Sequence, residues 1–217
     1  MRRFLLAALV GTLVLSATAP AMARYAPASA KSAKASVTAA QPAKQAPDLR
    51  VGLASGRASL TITPAGGKAT VQTGSSKTIT LAANTAAAIR WQDGAFLVGR
   101  EKLRGEVLMI RPNAKAGELS LDGRRYRGAL ELRHKSGGLT AVNIVPVDDY
   151  LRSVVPEEMP VDWPAEAIKA QSVAARSFAL ASRGRHASEG YDLCTTTHCQ
   201  LYTGTAAEKS ASNAAIK

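Results

Sequence analysis

Three features of the 217-residue sequence predict an α+β fold. Short apolar or alternating runs, broken by turn residues, fill the stretch from Leu49 to Val145, as strands do. After Val145 the apolar period changes from two to nearer 3.6, and an Ala-rich segment follows. An apolar content of 46% suffices for one sizeable domain or two small ones. The expected architecture is a β-rich N-terminal region (49–145) packed with an Ala-rich helical core (146–217).

The chain opens with Met1-Arg2-Arg3, an apolar run from Phe4 to Val10, and Ala21-Met22-Ala23. This is the layout of a secretory signal peptide over residues 1–23. A retained membrane anchor would need about 20 strongly apolar residues, and Thr12, Ser16, Thr18 and Pro20 interrupt this run. No cysteine lies near it to take a lipid. Residues 24–48 are almost entirely Ala, Pro, Ser, Lys and Gln, a composition that buries no core and reads as a disordered, positively charged linker.

Removing the signal takes away Arg2 and Arg3 and lowers the formal charge from +12 to +10. A basic exported chain suits an anionic partner, such as wall polymer or a membrane surface. Nucleic acid is not the expected partner. The chain is exported, its Lys and Arg are not clustered with interleaved aromatics, and aromatics make up only 5% of it.

The strands are expected at Arg50–Leu53, Ala58–Ile62, Thr78–Leu81, Ala88–Trp91, Ala95–Val98 and Val107–Ile110. Asp122-Gly123 between Leu119–Leu121 and Arg124–Tyr126 signals a hairpin, because that turn needs positive φ. Gly66-Gly67, Gly137-Gly138 and Arg111-Pro112-Asn113 mark further turns. In the helical part, Asp148 is expected to cap a short helix that ends near Val155, since Pro156 disfavours helical geometry in the residue before it. A second helix starts around Asp162-Trp163-Pro164 and runs from Ala165 to about Arg183, with Gly184 as its stop. Ile168, Gln171, Ala175 and Phe178 form one stripe on it, with Ala167, Ala170 and Ala174 beside them for close packing.

Three groups offer chemistry. Glu158 is expected in a non-helical corner among Val155, Met159, Pro156 and Pro160, where an apolar setting disfavours the charged form and prepares a general acid. The alternative is that Glu157 and Glu158 are ordinary solvated acids, a description that suits Glu157 better. Lys169 and Arg176, two helical turns apart, share a face and with Gln171 can line a groove for a sugar chain; a solvated helix face is the plainer reading. Cys194, His198 and Cys199 lie within six residues, and His186 can complete a zinc set. A Cys194–Cys199 disulfide is the rival, which export permits. His134, beside Lys135, reads as a solvated strand histidine.

The text Val145-Pro-Val-Asp-Asp-Tyr-Leu151, Val154-Val-Pro-Glu-Glu-Met-Pro160, Trp163–Gln171, Ala174-Ala175-Arg176, Tyr191–Cys194 and Thr196–Gln200 with Tyr202 resembles the SpoIID/LytB domain family. Weaker similarity reaches back to about Arg50 through Tyr126-Arg127-Gly128 and Leu139–Val145. The resemblance implies an exported protein acting on peptidoglycan glycan strands, as a lytic transglycosylase with Glu158 as its acid and base. A non-catalytic wall-binding partner of an amidase is the second implication. It also implies polar cleft residues at Lys169 and Gln171. By the same resemblance, a structural zinc is expected on Cys194, His198 and Cys199, with His186 upstream. Relative to the family pattern, the sequence stops inside what looks like the next family element, so the domain is expected to be incomplete.

Overall fold

The computed structural model describes residues 47–74, 77–135 and 137–216. The expected signal peptide (1–23) and residues 24–46 of the expected linker lie outside them. The chain first makes β1 (Asp48–Arg57), β2 (Ser59–Ala65), β3 (Ala69–Gln72), β4 (Thr78–Leu81), β5 (Ala87–Gln92) and β6 (Ala95–Val98). Next come β7 (Glu101–Arg104), β8 (Val107–Pro112), β9 (Glu118–Leu121), β10 (Arg124–Tyr126), β11 (Ala129–Lys135) and β12 (Gly138–Pro146). Helices α1 (Val147–Glu158) and α2 (Ala165–Ala181) follow, then a two-residue strand β13 (Leu193–Cys194) and a short helix α3 (Ser210–Ala215). Among the described residues, no helix is long and apolar enough to cross a membrane.

The α+β expectation holds. One seven-stranded sheet runs β13-β1-β12-β11-β8-β3-β4, and a six-stranded sheet runs β10-β9-β2-β5-β6-β7. The alternation of buried and exposed residues in β2 and β8 is that of strands with one face on a core. Leu60, Ile62, Ile89 and Phe96 of the smaller sheet join Val51, Leu108, Ile110 and Leu132 of the larger in one hydrophobic cluster. The Asp122-Gly123 hairpin forms as expected, with both residues at positive φ. Strands β3, β7, β11 and β12 were not among those expected; in β7, Glu101-Lys102-Leu103-Arg104 has one buried apolar residue and no alternating run to read. The turn expected at Arg111-Pro112-Asn113 begins later, since β8 continues to Pro112, opposite Ala69 of β3.

Helix α1 differs from expectation at both ends. Asp148 is not its cap: Pro146 precedes the first helical residue, and Asp148 sits in the first turn, where its charge favours the positive end. The helix also does not stop at Val155. It passes through Pro156 to Glu158, and the Met159 N–H donates to the Val155 carbonyl at 3.2 Å, so the last turn closes despite the proline. Val147, Tyr150, Leu151, Val154 and Val155 recur at helical spacing and are buried, which fixes α1 against the rest of the fold.

Helix α2 starts directly after Pro164, as expected, and ends at Ala181, two residues early. Its buried stripe is Ile168, Ser172, Ala175 and Ala179. Ala170, Ala174 and Phe178 face outward instead, so the small-residue face is not the packing face. The sequence misled here because alanine is compatible with either side of a helix.

Strand β12 is buried along Leu139–Asn143 and carries a polar side chain, Asn143, at 0% exposure. Its Nδ2 donates to the carbonyls of Arg127 and Ala129, each at 2.9 Å, and its Oδ1 accepts the Tyr202 hydroxyl at 2.7 Å. This one amide ties the C-terminal segment to the sheet. Asn143→Leu keeps much of the volume but orphans these partners, so stability should fall by about 2–4 kcal/mol. Urea unfolding measures this, and a loss under about 0.5 kcal/mol would show that Asn143 is dispensable.

Candidate active cleft and metal centre

His186, Cys194, His198 and Cys199 each bring one ligand atom to within 4.8 Å of the others. The Cys194 and Cys199 sulfurs both stand 3.7 Å from His198 Nδ1, and Cys199 Sγ is 3.4 Å from His186 Nε2. Zinc–sulfur bonds of about 2.3 Å and zinc–nitrogen bonds of about 2.0–2.1 Å give tetrahedral edges of roughly 3.3–3.8 Å. The donor set and its spacing therefore fit tetrahedral zinc with all four positions filled by protein. The two cysteines are unpaired in the structure.

Residues outside the donor set shape this centre. His186 Nδ1 meets Glu189 Oε1 at 2.6 Å, which leaves Nε2 turned to the cluster in the manner of a carboxylate–histidine–metal triad. Glu189 also accepts the Tyr191 hydroxyl, and Lys135 Nζ of β11 donates to its carbonyl at 2.8 Å. The Tyr191 ring lies on Gly52 of β1, where an added Cβ would come within 2.5 Å of ring carbon, so that strand position requires glycine. The Glu189 hydrogen bond raises the pKa of His186 above its ordinary value. Sequence reading missed Glu189; its signal was the three-residue spacing from His186 across a short 3₁₀ turn.

Glu158 ends α1 and is exposed, not enclosed. The apolar corner expected around it is missing because Val155 turns into the core and the helix carries Glu158 past it. It lines an open cleft of about 380 Å³ with Gln171, Phe178, Cys199 and Gln200. Gln200 is buried and oriented from two sides: Nε2 donates to the Ala175 carbonyl at 3.4 Å, and Oε1 accepts the Tyr150 hydroxyl at 3.3 Å. Cys199 thus belongs both to the cleft wall and to the four-residue Cys/His cluster. Glu157, the adjacent acid, is exposed and accepts the Thr203 hydroxyl at 2.9 Å.

The expected groove residues separate. Gln171 joins Glu158, whereas Lys169 is exposed and pairs with Glu166 at 2.8 Å one turn away. Arg176 is half-buried, pairs with Asp148 of α1 and donates to the Ile216 carbonyl at 3.2 Å. It fastens α2 to α1 and the C-terminal segment and does not line the cleft. His134 is exposed on β11, as expected, and stacks on Trp91 with ring centroids 4.6 Å apart.

The two thiols differ. Burial raises Cys194, but hydrogen bonds from Thr196, His198 and Cys199 outweigh it and bring the thiol down to about 6. Burial raises Cys199, with the Cys194 charge adding to it. The Cys194 thiolate therefore supports the fold fully only above the ordinary thiol value of about 8.5, and that support is lost progressively as pH falls from there through about 6. In metal-free protein, alkylation of Cys194 by iodoacetamide should rise through a midpoint near pH 6, with Cys199 reacting only at higher pH. Peptide mapping reads both rates, and a shared midpoint near about 8.5, the ordinary thiol value, would contradict the asymmetry.

Comparison with known proteins places these elements. Residues 135–217, which hold Glu158, the cleft and all four donors, match the family model described as SpoIID, Stage II sporulation protein. An uncharacterized protein of Brachyspira hyodysenteriae is 38% identical over 86 residues, covering 39% of this chain and 23% of that protein. The amidase enhancer of Bacillus subtilis is 31% identical over 107 residues, covering 48% of this chain and 14% of that protein. The aligned part is thus less than a quarter of either relative's length. No solved structure matches. Residues 135–217 are thus similar to the SpoIID/LytB domain family.

Proposed function

We propose that this protein acts on peptidoglycan outside the cytoplasmic membrane, as a lytic transglycosylase that cuts glycan strands with Glu158. What carries this reading is an accessible carboxylate in an open cleft with Gln171 and the buried amide of Gln200, inside the segment that matches the family. Glu158 in its acid form protonates the oxygen that leaves the anomeric carbon of N-acetylmuramic acid. The resulting carboxylate then takes the proton from that sugar's own 6-hydroxyl as its oxygen closes on the anomeric carbon. No water is consumed, so one carboxylate serves both proton transfers, where hydrolases use two. Gln171 and Gln200 supply hydrogen bonds that hold the sugars. Export by the N-terminal signal sequence puts the cleft where its substrate is.

The four-residue centre belongs to this proposal as a structural zinc site. Zinc bound there joins β13 to the Cys199–Gln200 wall and takes no part in the proton transfers. The second reading is a non-catalytic wall-binding protein that stimulates an amidase, favoured by the similarity to the Bacillus subtilis amidase enhancer. In that case Glu158 is a surface acid and the cleft binds glycan without cutting it.

Incubating stripped glycan strands with wild type should release 1,6-anhydro-ended fragments, and Glu158→Gln should abolish this by at least about 100-fold, as loss of an acid–base group does. Equal products from both proteins would remove Glu158 from the reaction. No products from either, with amidase stimulation intact in both, would establish the enhancer reading. For the metal, protein purified without added zinc should carry one zinc per chain and two thiols that titrate only after chelation. A metal-free protein with no titratable thiol would exclude the site.

A further inference from the structure

A second concavity is larger than the Glu158 cleft. A cavity of about 660 Å³ opens between the β9–β10 hairpin and the Thr203–Ala206 loop. This is within the range of small-ligand sites. Its polar wall holds Glu118, Arg124, Arg125, Arg127, Thr203 and Thr205, of which Arg124 is engaged with the Tyr126 hydroxyl.

These groups are of two kinds. Arg127 is held by Glu208 through two hydrogen bonds of 2.6 and 2.9 Å, with Glu118 a further 3.8 Å away. Glu118 in turn accepts the Thr205 hydroxyl at 3.3 Å. This network is fixed in place, yet it keeps N–H donors and carboxylate lone pairs that can meet sugar hydroxyls and an acetamide. Arg125 is different. It is exposed, and among the described residues no carboxylate lies within ion-pair reach of it. Side chains alternate along a strand, so on β10 Arg124 lies on the side of buried Tyr126 and Arg125 projects to the other. A polyanion would need several free cations here, but Glu118 and Glu208 offset Arg127. The wall instead suits a neutral polar ring that carries one negative charge.

The cavity is also fixed relative to the catalytic helix. Gly204 has φ +88°, and a Cβ there would fall 2.2 Å from the Arg125 carbonyl, so loop and hairpin approach as closely as backbone allows. The N–H groups of Thr203 and Gly204 donate to Ser153 Oγ of α1, at 3.2 and 3.1 Å. The Thr203 hydroxyl donates to Glu157, and the next residue, Glu158, lines the other cleft. Thr203 of the cavity wall and Glu158 of the cleft thus both attach to the last turn of one helix, whose diameter with side chains is about 10–12 Å. A short oligosaccharide spans that.

We propose that this cavity is a subsite for a carboxylate-bearing sugar of the strand that Glu158 attacks, with Arg125 as the partner of the carboxylate. This rests on the glycan-strand reading above. One charge-assisted hydrogen bond from Arg125 should be worth about tenfold in affinity.

The test compares two tetrasaccharides by calorimetry on the full chain carrying Glu158→Gln, which leaves the strand intact. One alternates N-acetylglucosamine with N-acetylmuramic acid; the other is chitotetraose, which has no carboxylate. The acidic strand should bind about tenfold tighter, and adding Arg125→Ala should reduce that preference to within about twofold without lowering the melting temperature. Arg125→Glu should invert it. Equal affinity for the two sugars, or a preference that survives Arg125→Ala, overturns the subsite and leaves the glycan reading intact. Binding of neither sugar overturns both.

Discussion

Asp192 joins the helical part to the sheet. Its Oδ2 accepts the Arg50 N–H of β1 and its Oδ1 accepts the Gly184 N–H just past α2, each at 3.0 Å. Its own N–H donates to the Arg50 carbonyl at 2.8 Å, and its carbonyl accepts the His186 N–H at 3.3 Å. One residue thereby sets the strand β1, the exit of α2 and His186 of the Cys/His cluster in a common frame. The parallel pairing of Val51 with Leu193 and Gly52 with Cys194 follows directly from it. Arg50 carries the tie further, reaching Glu131 of β11 through bonds of 2.9 and 2.7 Å. Burial alone would push the Glu131 carboxyl up, but Arg50 and Arg133 together hold it below the ordinary range.

From that frame the cleft is built in one direction. The segment after β13 returns through Cys199 and Gln200 to lie against α1 and α2, and Tyr150 and Ala175 orient the Gln200 amide. Tyr202 then ends in the sheet on Asn143. Only the final turn of α1 projects Glu158 beyond this packed assembly. A buried, doubly held amide facing an exposed carboxylate is the arrangement expected when one group positions a ligand and the other exchanges protons with it.

Much of this was legible in the chain, and the failures have physical causes. The Asp122-Gly123 turn, the Pro164 helix start and the Cys194, His198, Cys199 grouping were readable because each depends on local chemistry. The helix through Pro156 was not, since burial of Val154 and Val155 outweighs the local preference that a proline imposes on its neighbour. The roles of Asp148 and Arg176 were missed for the same reason: their partnership joins residues 28 apart in sequence. Strand β7 has too few apolar residues to announce itself, and β3, β11 and β12 were passed over although each carries buried apolar residues. Glu189, Asp192 and Gln200 act through long-range hydrogen bonds that no periodicity encodes.

In the proposed reading, zinc on His186, Cys194, His198 and Cys199 would hold the cleft wall in place. Hydrogen exchange of the zinc-loaded protein and of the chelated protein tests it most directly. Chelation should accelerate exchange at the amides from Leu193 to Tyr202 and leave those of β8, β11 and β12 as slow as before. Unchanged protection across Cys199–Tyr202 after the zinc is removed would contradict the claim and leave the cleft wall held by Tyr150, Ala175 and Asn143 alone.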